Sequence, residues 1–175
     1  MLPARRLRSS ESRIGMKSST NLHQNPSREI VAHVDGGSRG NPGPAAYGVV
    51  VEDTDGEALA ALSKFIGHAT NNVAEYQGLL AALEYALEYH HPRLRVLTDS
   101  ELMARQLEGR YKVKSRDLKP LFERARGMIL RLEHFSIRHV PREQNAEADR
   151  LVNQALDAVS AGAGLKPARP SRGSR

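Results

Sequence analysis

Cysteine is absent from the 175-residue chain. That excludes disulfides and thiolate metal ligands, so any metal must sit on oxygen or imidazole. Tryptophan is also absent, beside only five tyrosines and three phenylalanines, so flat stacking platforms are scarce. No apolar run reaches the ~18 residues that a membrane-spanning helix needs. The first 28 residues hold no apolar stretch able to form a signal-peptide core. What is present suits a folded core: 39% hydrophobic and 26% charged residues are ordinary for one globular domain.

Acidic residues are scarce at both ends. Residues 1–28 carry six Lys/Arg against Glu11 alone, and residues 160–175 carry four basic residues and no acid. The stretch between them holds 16 basic and 19 acidic groups. The net charge of +6 therefore resides in the flanks. This divides the chain into a basic N-terminal extension (1–28), one domain (29–159) and a basic tail (160–175), with both flanks expected to be disordered. A basic flank adds salt-sensitive affinity for phosphates, or it is solvated chain and no more. The Arg/Ser bias of the first 28 residues faintly resembles an organellar transit peptide; a plain extension or a start at Met16 accounts for it equally. The default location is cytoplasmic.

Ile30 to Val34 reads as a buried strand ending at Asp35, with Asp35-Gly36-Gly37 and Asn41-Pro42-Gly43-Pro44 as turn chemistry. Ala46–Val51 and Glu57–Ile66 read as a hairpin around Asp53-Thr54-Asp55-Gly56. From Asn72 the apolar period becomes helical, through Val73, Tyr76, Leu79, Leu80, Leu83, Ala86 and Leu87, until His90-His91-Pro92. A strand at Leu94–Leu97, a helix to about Leu107, a helix over 117–132, a strand at Phe135–Val140 and a helix over 143–160 complete the order βββαβααβα. That order predicts an α/β domain, a mixed sheet covered by helices.

Four acids fall where structure alone has little need of them. Asp35 closes a buried strand, and Glu75 lies on the inward side of its helix with Leu79 and Leu83. Asp99 follows a strand, and Asp149 shares a helix face with Val152 and Leu156. Each has a plain reading: an Asx-turn at Asp35, a capping-box partner of Asn72 at Glu75, a helix N-cap at Asp99, a boundary carboxylate paired with an arginine at Asp149. Together, two acids at strand ends and two on inward helix sides can converge at one sheet edge. Crowded carboxylates repel and resist ionisation, and a hard dication on all-oxygen ligands, Mg²⁺ or Mn²⁺, removes that cost. Two such ions about 3.5–4 Å apart would serve phosphodiester hydrolysis.

The blocks HVDGGSRGNPGPAAYGVV (33–50), ATNNVAEYQGLLAALEYAL (69–87), VLTDSELMARQL (96–107) and HVPREQNAEADRLVNQAL (139–156) resemble type I ribonuclease H in order and spacing. The resemblance spans about residues 29–159. It implies the RNase H-like fold, a five-stranded mixed sheet of three antiparallel strands plus two parallel ones flanked by helices. It implies endonucleolytic cutting of the RNA strand of RNA–DNA hybrids by two Mg²⁺ ions, with Mn²⁺ as a possible substitute, leaving 5′-phosphate and 3′-hydroxyl ends. Asp35, Glu75, Asp99 and Asp149 match the catalytic, metal-binding carboxylates. Asn41, Asn71, Asn72 and Gln77 match positions that read the hybrid's minor groove, and Thr70 one that holds a DNA-strand phosphate. Gly36, Gly37 and Ser38 belong to the same substrate side, the glycines allowing close backbone approach. The expected partner is the hybrid, with no membrane and no small-molecule cofactor, and the protein is expected to be a monomer.

The pattern departs from the family in two places. His139 precedes Asp149 by ten residues, but it falls on the last strand rather than on the loop where many members carry a histidine. The shortened loop after Pro141 resembles branches with V-P-R before N-x-x-A-D, and makes Arg142 the cationic candidate near the leaving group or a phosphate. A salt bridge from Arg142 to Glu143 or Glu147 is the plain reading. The family's basic helical protrusion is missing between Leu107 and Asp117, where Lys112, Lys114 and Arg116 offer a smaller patch. The alternatives are a nuclease of the same superfamily with another nucleic-acid substrate, a non-catalytic hybrid- or RNA-binding domain, or an interaction protein acting through its basic flanks.

Overall fold

A β-branched run starts the structured chain because Ile30, Ala32 and Val34 alternate inward with no exposed surface to speak of. The structure, a computed structural model, describes residues 29–163. The strands are β1 (Ile30–Ser38), β2 (Gly43–Asp53), β3 (Ala58–Ala69), β4 (Arg93–Thr98) and β5 (His134–His139). The helices are α1 (Asn71–Glu88), α2 (Glu101–Leu107), α3 (Leu118–Ile129) and α4 (Ala146–Ala163), the last entered through a 3₁₀ turn at Arg142–Asn145. The sheet order is β3-β2-β1-β4-β5. The first three strands are antiparallel, and β4 and β5 run parallel to β1. This is the expected mixed sheet.

Strand β1 is longer than its composition suggests. Asp35-Gly36-Gly37 is not a turn: the strand continues to Ser38, with Asp35 opposite Gly48 and Ser38 opposite Ala45 of β2. The parallel ladder to β4 stops at Val34 and Thr98. Asp35 thus sits where β1 outruns β4, with one flank of the strand open. Turn-forming composition was overridden by packing. A Cβ on Gly36 would lie 2.3 Å from both the carbonyl carbon of Ala74 and the backbone nitrogen of Glu75, so the glycine is what lets α1 cross the strand. Gly48 does the same beneath α4, where a Cβ would lie 2.4 Å from the Ala148 carbonyl oxygen.

Helix α1 is buried nearly all round, with Ala74, Tyr76, Leu79, Leu80, Leu83 and Ala86 in the core and α3 packed on its outer side. Its N-cap is Thr70, whose Oγ1 accepts from the Val73 N–H at 3.2 Å. The helix therefore starts at Asn71, and the expected pairing of an Asn72 cap with Glu75 does not form. At α2 the cap is Ser100, whose hydroxyl accepts from the Met103 N–H at 3.3 Å, not Asp99. Helix α4 lays Val152 and Leu156 on Ala46 of β2. It starts three residues after the expected Glu143, because residues 142–145 form the 3₁₀ turn, and it runs past the expected 160 to Ala163, so the first residues of the expected tail are helical. The basic extension 1–28 and the tail beyond 163 lie outside the described residues. Among the described residues, no helix is long and apolar enough to cross a membrane.

Candidate active site

The fork between β1 and β4 brings three carboxylates together. Asp35 comes from β1, Glu75 from the first turns of α1 above Gly36, and Asp99 from the end of β4. Their oxygens lie within 4.8 Å of one another. Asp35 and Glu75 are buried, at 6% and 7% exposure, and Asp99 is half-buried. A cavity of about 440 Å³ opens onto them, and Asp149 of α4 lines it too. Asp149 stands apart from the other three: its Oδ1 receives the Arg142 guanidinium at 3.4 Å. The plain reading of Asp149 as a carboxylate paired with arginine thus holds, with Arg142 as the partner. Arg142 does not bridge to Glu143 or Glu147; Glu147 pairs with Arg150 at 3.0 Å.

The buried acids are held under electrostatic load. Burial, then the charges of Asp99 and Asp149, push Asp35 up to about 7, against partial relief from the Gly36 N–H. Glu75 is pushed well above the usual carboxylate range, first by burial and then by Asp35 and Asp99. Its Oε2 is buried without a hydrogen-bond partner. An orphaned carboxylate oxygen facing two further acids is a poor design for a protein core. It is a fitting donor set for a hard divalent cation, which needs oxygen ligands and cancels their repulsion. Asp35, Glu75 and Asp99 would hold such an ion, with Asp149 as the fourth candidate across the cavity.

The other sequence candidates divide. Gly36, Gly37, Ser38, Asn71, Asn72 and Arg142 line the cavity; Asn41, Thr70 and Gln77 do not. Those at the rim are tied to one another. Asn71 Oδ1 accepts from both the backbone N–H of Ser38 at 2.8 Å and its hydroxyl at 3.0 Å. Asn41 Oδ1 accepts from the Asn71 backbone N–H at 3.1 Å, and Thr70 is spent on the helix cap. The close backbone approach at Gly36 is to α1. Gln77 is half-buried farther along the same helix.

His139 ends β5 with its side chain exposed, as its placement on the strand predicts. Lys112, Lys114 and Arg116 are exposed in the irregular link between α2 and α3, with no helix in the protrusion's place. Sequence reasoning passed over Asn145, although it opens the N-x-x-A-D block. This side chain is 1% exposed and donates to the Val34 carbonyl at 2.8 Å. It also passed over Arg39, Ser100 and Asn153, which line the cavity. Arg39 pairs with Asp157 at 2.5 Å, and Asn153 donates back to the Asp149 carbonyl at 3.0 Å.

Comparison with known proteins agrees with this geometry. The family model described as "Reverse transcriptase-like" matches residues 33–155. "Bifunctional protein Rv2228c" of Mycobacterium tuberculosis is 46% identical over 144 residues, 81% of this chain and 40% of that protein. The chain thus spans well under half the length of that relative. "Ribonuclease HI" of Halobacterium salinarum is 45% identical over 128 residues, 73% of this chain and 64% of that protein. The structure of LC11-RNase H1 in complex with RNA/DNA hybrid matches with a TM-score of 0.71 and 43% identity, covering 75% of this chain and 99% of that one. With its sheet order and its acid cluster both accounted for, the chain belongs to the reverse transcriptase-like, RNase H-like family.

Proposed function

We propose that the protein is a ribonuclease H, an endonuclease that hydrolyses the RNA strand of RNA–DNA hybrids with divalent cations. The observation that carries this is the mutually repelling set of buried Asp35 and Glu75 and half-buried Asp99 at the floor of an open cavity. A pure binding module gains nothing from so costly a cluster. The relatives named ribonuclease HI and RNase H1, one of them bound to a hybrid, support the substrate class.

In this reading Asp35, Glu75, Asp99 and Asp149 hold two Mg²⁺ ions, or Mn²⁺ in their place. Such ions supply a polarised water and counter-charge for the phosphate. The water oxygen joins phosphorus as it gives up a proton, the P–O3′ bond breaks and the departing oxygen takes up a proton, so the products carry 5′-phosphate and 3′-hydroxyl ends. The chain contributes position and exclusion. Gly36 brings α1 close enough to set Glu75 over Asp35. The Ser38–Asn41–Asn71 network holds the rim rigid, so that Asn71, Asn72 and Gln77 can meet base edges and the 2′-hydroxyl that distinguishes RNA. Arg142, largely exposed, releases Asp149 and turns its guanidinium to a phosphate oxygen. The protein acts as a monomer and without an organic cofactor.

A substrate panel tests the proposal. Labelled hybrid, duplex RNA, duplex DNA and single strands are incubated with Mg²⁺, Mn²⁺ or chelator. Cutting confined to the RNA strand of the hybrid, and lost with chelator, is the expected result. Cutting of duplex RNA in preference to hybrid transfers the protein to another substrate of the superfamily. Binding of hybrid without cutting under either metal replaces the enzyme with a binding domain.

A further inference from the structure

Asp35 and Asp149 reach the cavity from separate parts of the chain, β1 and α4, and something must set the distance between them. Among the described residues, one side-chain hydrogen bond joins β1 to the 142–163 segment: Asn145 Nδ2 to the Val34 carbonyl, at 2.8 Å and fully buried. The acceptor is the residue before Asp35. The donor is one helical turn before Asp149, at the entrance of α4. The bond thus clamps the two supports at their functional ends.

The other end of the same amide explains why packing alone does not account for it. Asn145 Oδ1 is buried without a hydrogen-bond partner, a condition that costs stability and that an apolar residue of similar size would avoid. Nor does the oxygen cap α4, although the residue occupies the position before its first turn. Only the N–H end is used, and it is used on the strand that carries Asp35.

We propose that Asn145 is a positioning residue that sets the spacing of Asp35 and Asp149 for cation binding, touching neither cation nor substrate itself. The proposal rests on the acid cluster being a divalent-cation site, as argued above. Supporting residues one step behind metal ligands typically change metal affinity by about 10- to 100-fold when removed. Asn145→Leu removes both amide ends at similar volume, so the orphaned oxygen is relieved while the clamp is lost; Asn145→Ala is the smaller second variant.

The test is a Mn²⁺ titration followed by electron paramagnetic resonance on the full chain without nucleic acid, at a temperature below each variant's melting point. Hybrid kcat and KM are measured alongside. The expected result is a Mn²⁺ midpoint raised about 10-fold or more in a folded variant, with kcat lowered and KM little changed. A folded variant with the wild-type midpoint overturns the proposal. If neither variant folds, the wild-type protein decides: its Asn145 side-chain amide resonance must shift on Mg²⁺ addition, and an unmoved resonance also overturns it. A wild type that binds Mn²⁺ yet cuts no hybrid defeats the ribonuclease reading instead, and leaves the midpoint comparison standing.

Discussion

Asp35, Glu75 and Asp99 at the floor of the cavity and Ser38, Asn41, Thr70 and Asn71 around its rim come from neighbouring stretches of chain, yet the fold treats them oppositely. At the rim the amide oxygens and hydroxyls are matched: amide oxygen to backbone N–H, hydroxyl to helix end. At the floor the acids are buried against one another, with one oxygen left orphaned. The rim is stable as it stands, so its residues serve structure first and recognition second. The floor is costly unless a proton or a cation cancels its charge. Buried polar groups that a fold declines to satisfy are therefore the better guide to chemistry here.

The comparison breaks most visibly at the floor. Asp35→Asn removes one charge from the cation site, and hybrid cleavage is expected to fall by at least about 10²-fold, the scale of losing a preorganised electrostatic group; steady-state kinetics with Mg²⁺ would show it. A variant that keeps more than a tenth of the activity would mean that Asp35 is not a ligand.

Gly36→Ala comes next. Its added methyl has no room against the α1 backbone, so destabilisation at the upper end of the ~1–3 kcal/mol typical of overpacking is expected in denaturant melts. Because α1 also carries Glu75, activity should fall further than stability alone explains. The smallest effect belongs to the rim. Thr70→Ala loses a helix cap, worth ~1 kcal/mol, while kcat at saturating hybrid stays near wild type. A Thr70→Ala protein of unchanged stability and collapsed kcat would reverse the assignment of rim and floor.

Much of this was legible in the chain. A helical period marked α1 and α4, and short apolar runs bounded by turn residues marked the strands, because the residues that fill the core recur with the element's own repeat. The acids stood out by their places at strand ends and inward helix faces. What escaped reading depended on contacts distant in sequence. Asp35-Gly36-Gly37 has the composition of a turn, and only the passage of α1 over Gly36 shows why a strand needs glycine there. Thr70 and Ser100, rather than Asn72 and Asp99, cap their helices, because all four can cap and the helix start decides among them. Asn145 was hidden for the same reason: its partner Val34 is 111 residues away, and no local pattern announces a clamp between a strand and a helix turn.

The floor of the cavity carries charge that the fold alone tolerates poorly. Burial, then the charges of Asp99 and Asp149, push Asp35 up to about 7 from the 3.8 of the free side chain. A raised carboxylate pKa contributes stability that is full below the unfolded value and lost as pH rises through the folded one. Thermal unfolding of the chelated wild type and Asp35→Asn, at pH 5 and pH 8, with and without Mg²⁺, tests this directly. The expected result is that Asp35→Asn gains on wild type between pH 5 and pH 8 by an amount on the order of a few kcal/mol. Mg²⁺ should raise the wild-type melting temperature at pH 8, more than at pH 5 and more than in the variant. A chelated wild type that gains stability on Asp35→Asn as pH rises, or a Mg²⁺ response equal in both proteins, would contradict the claim.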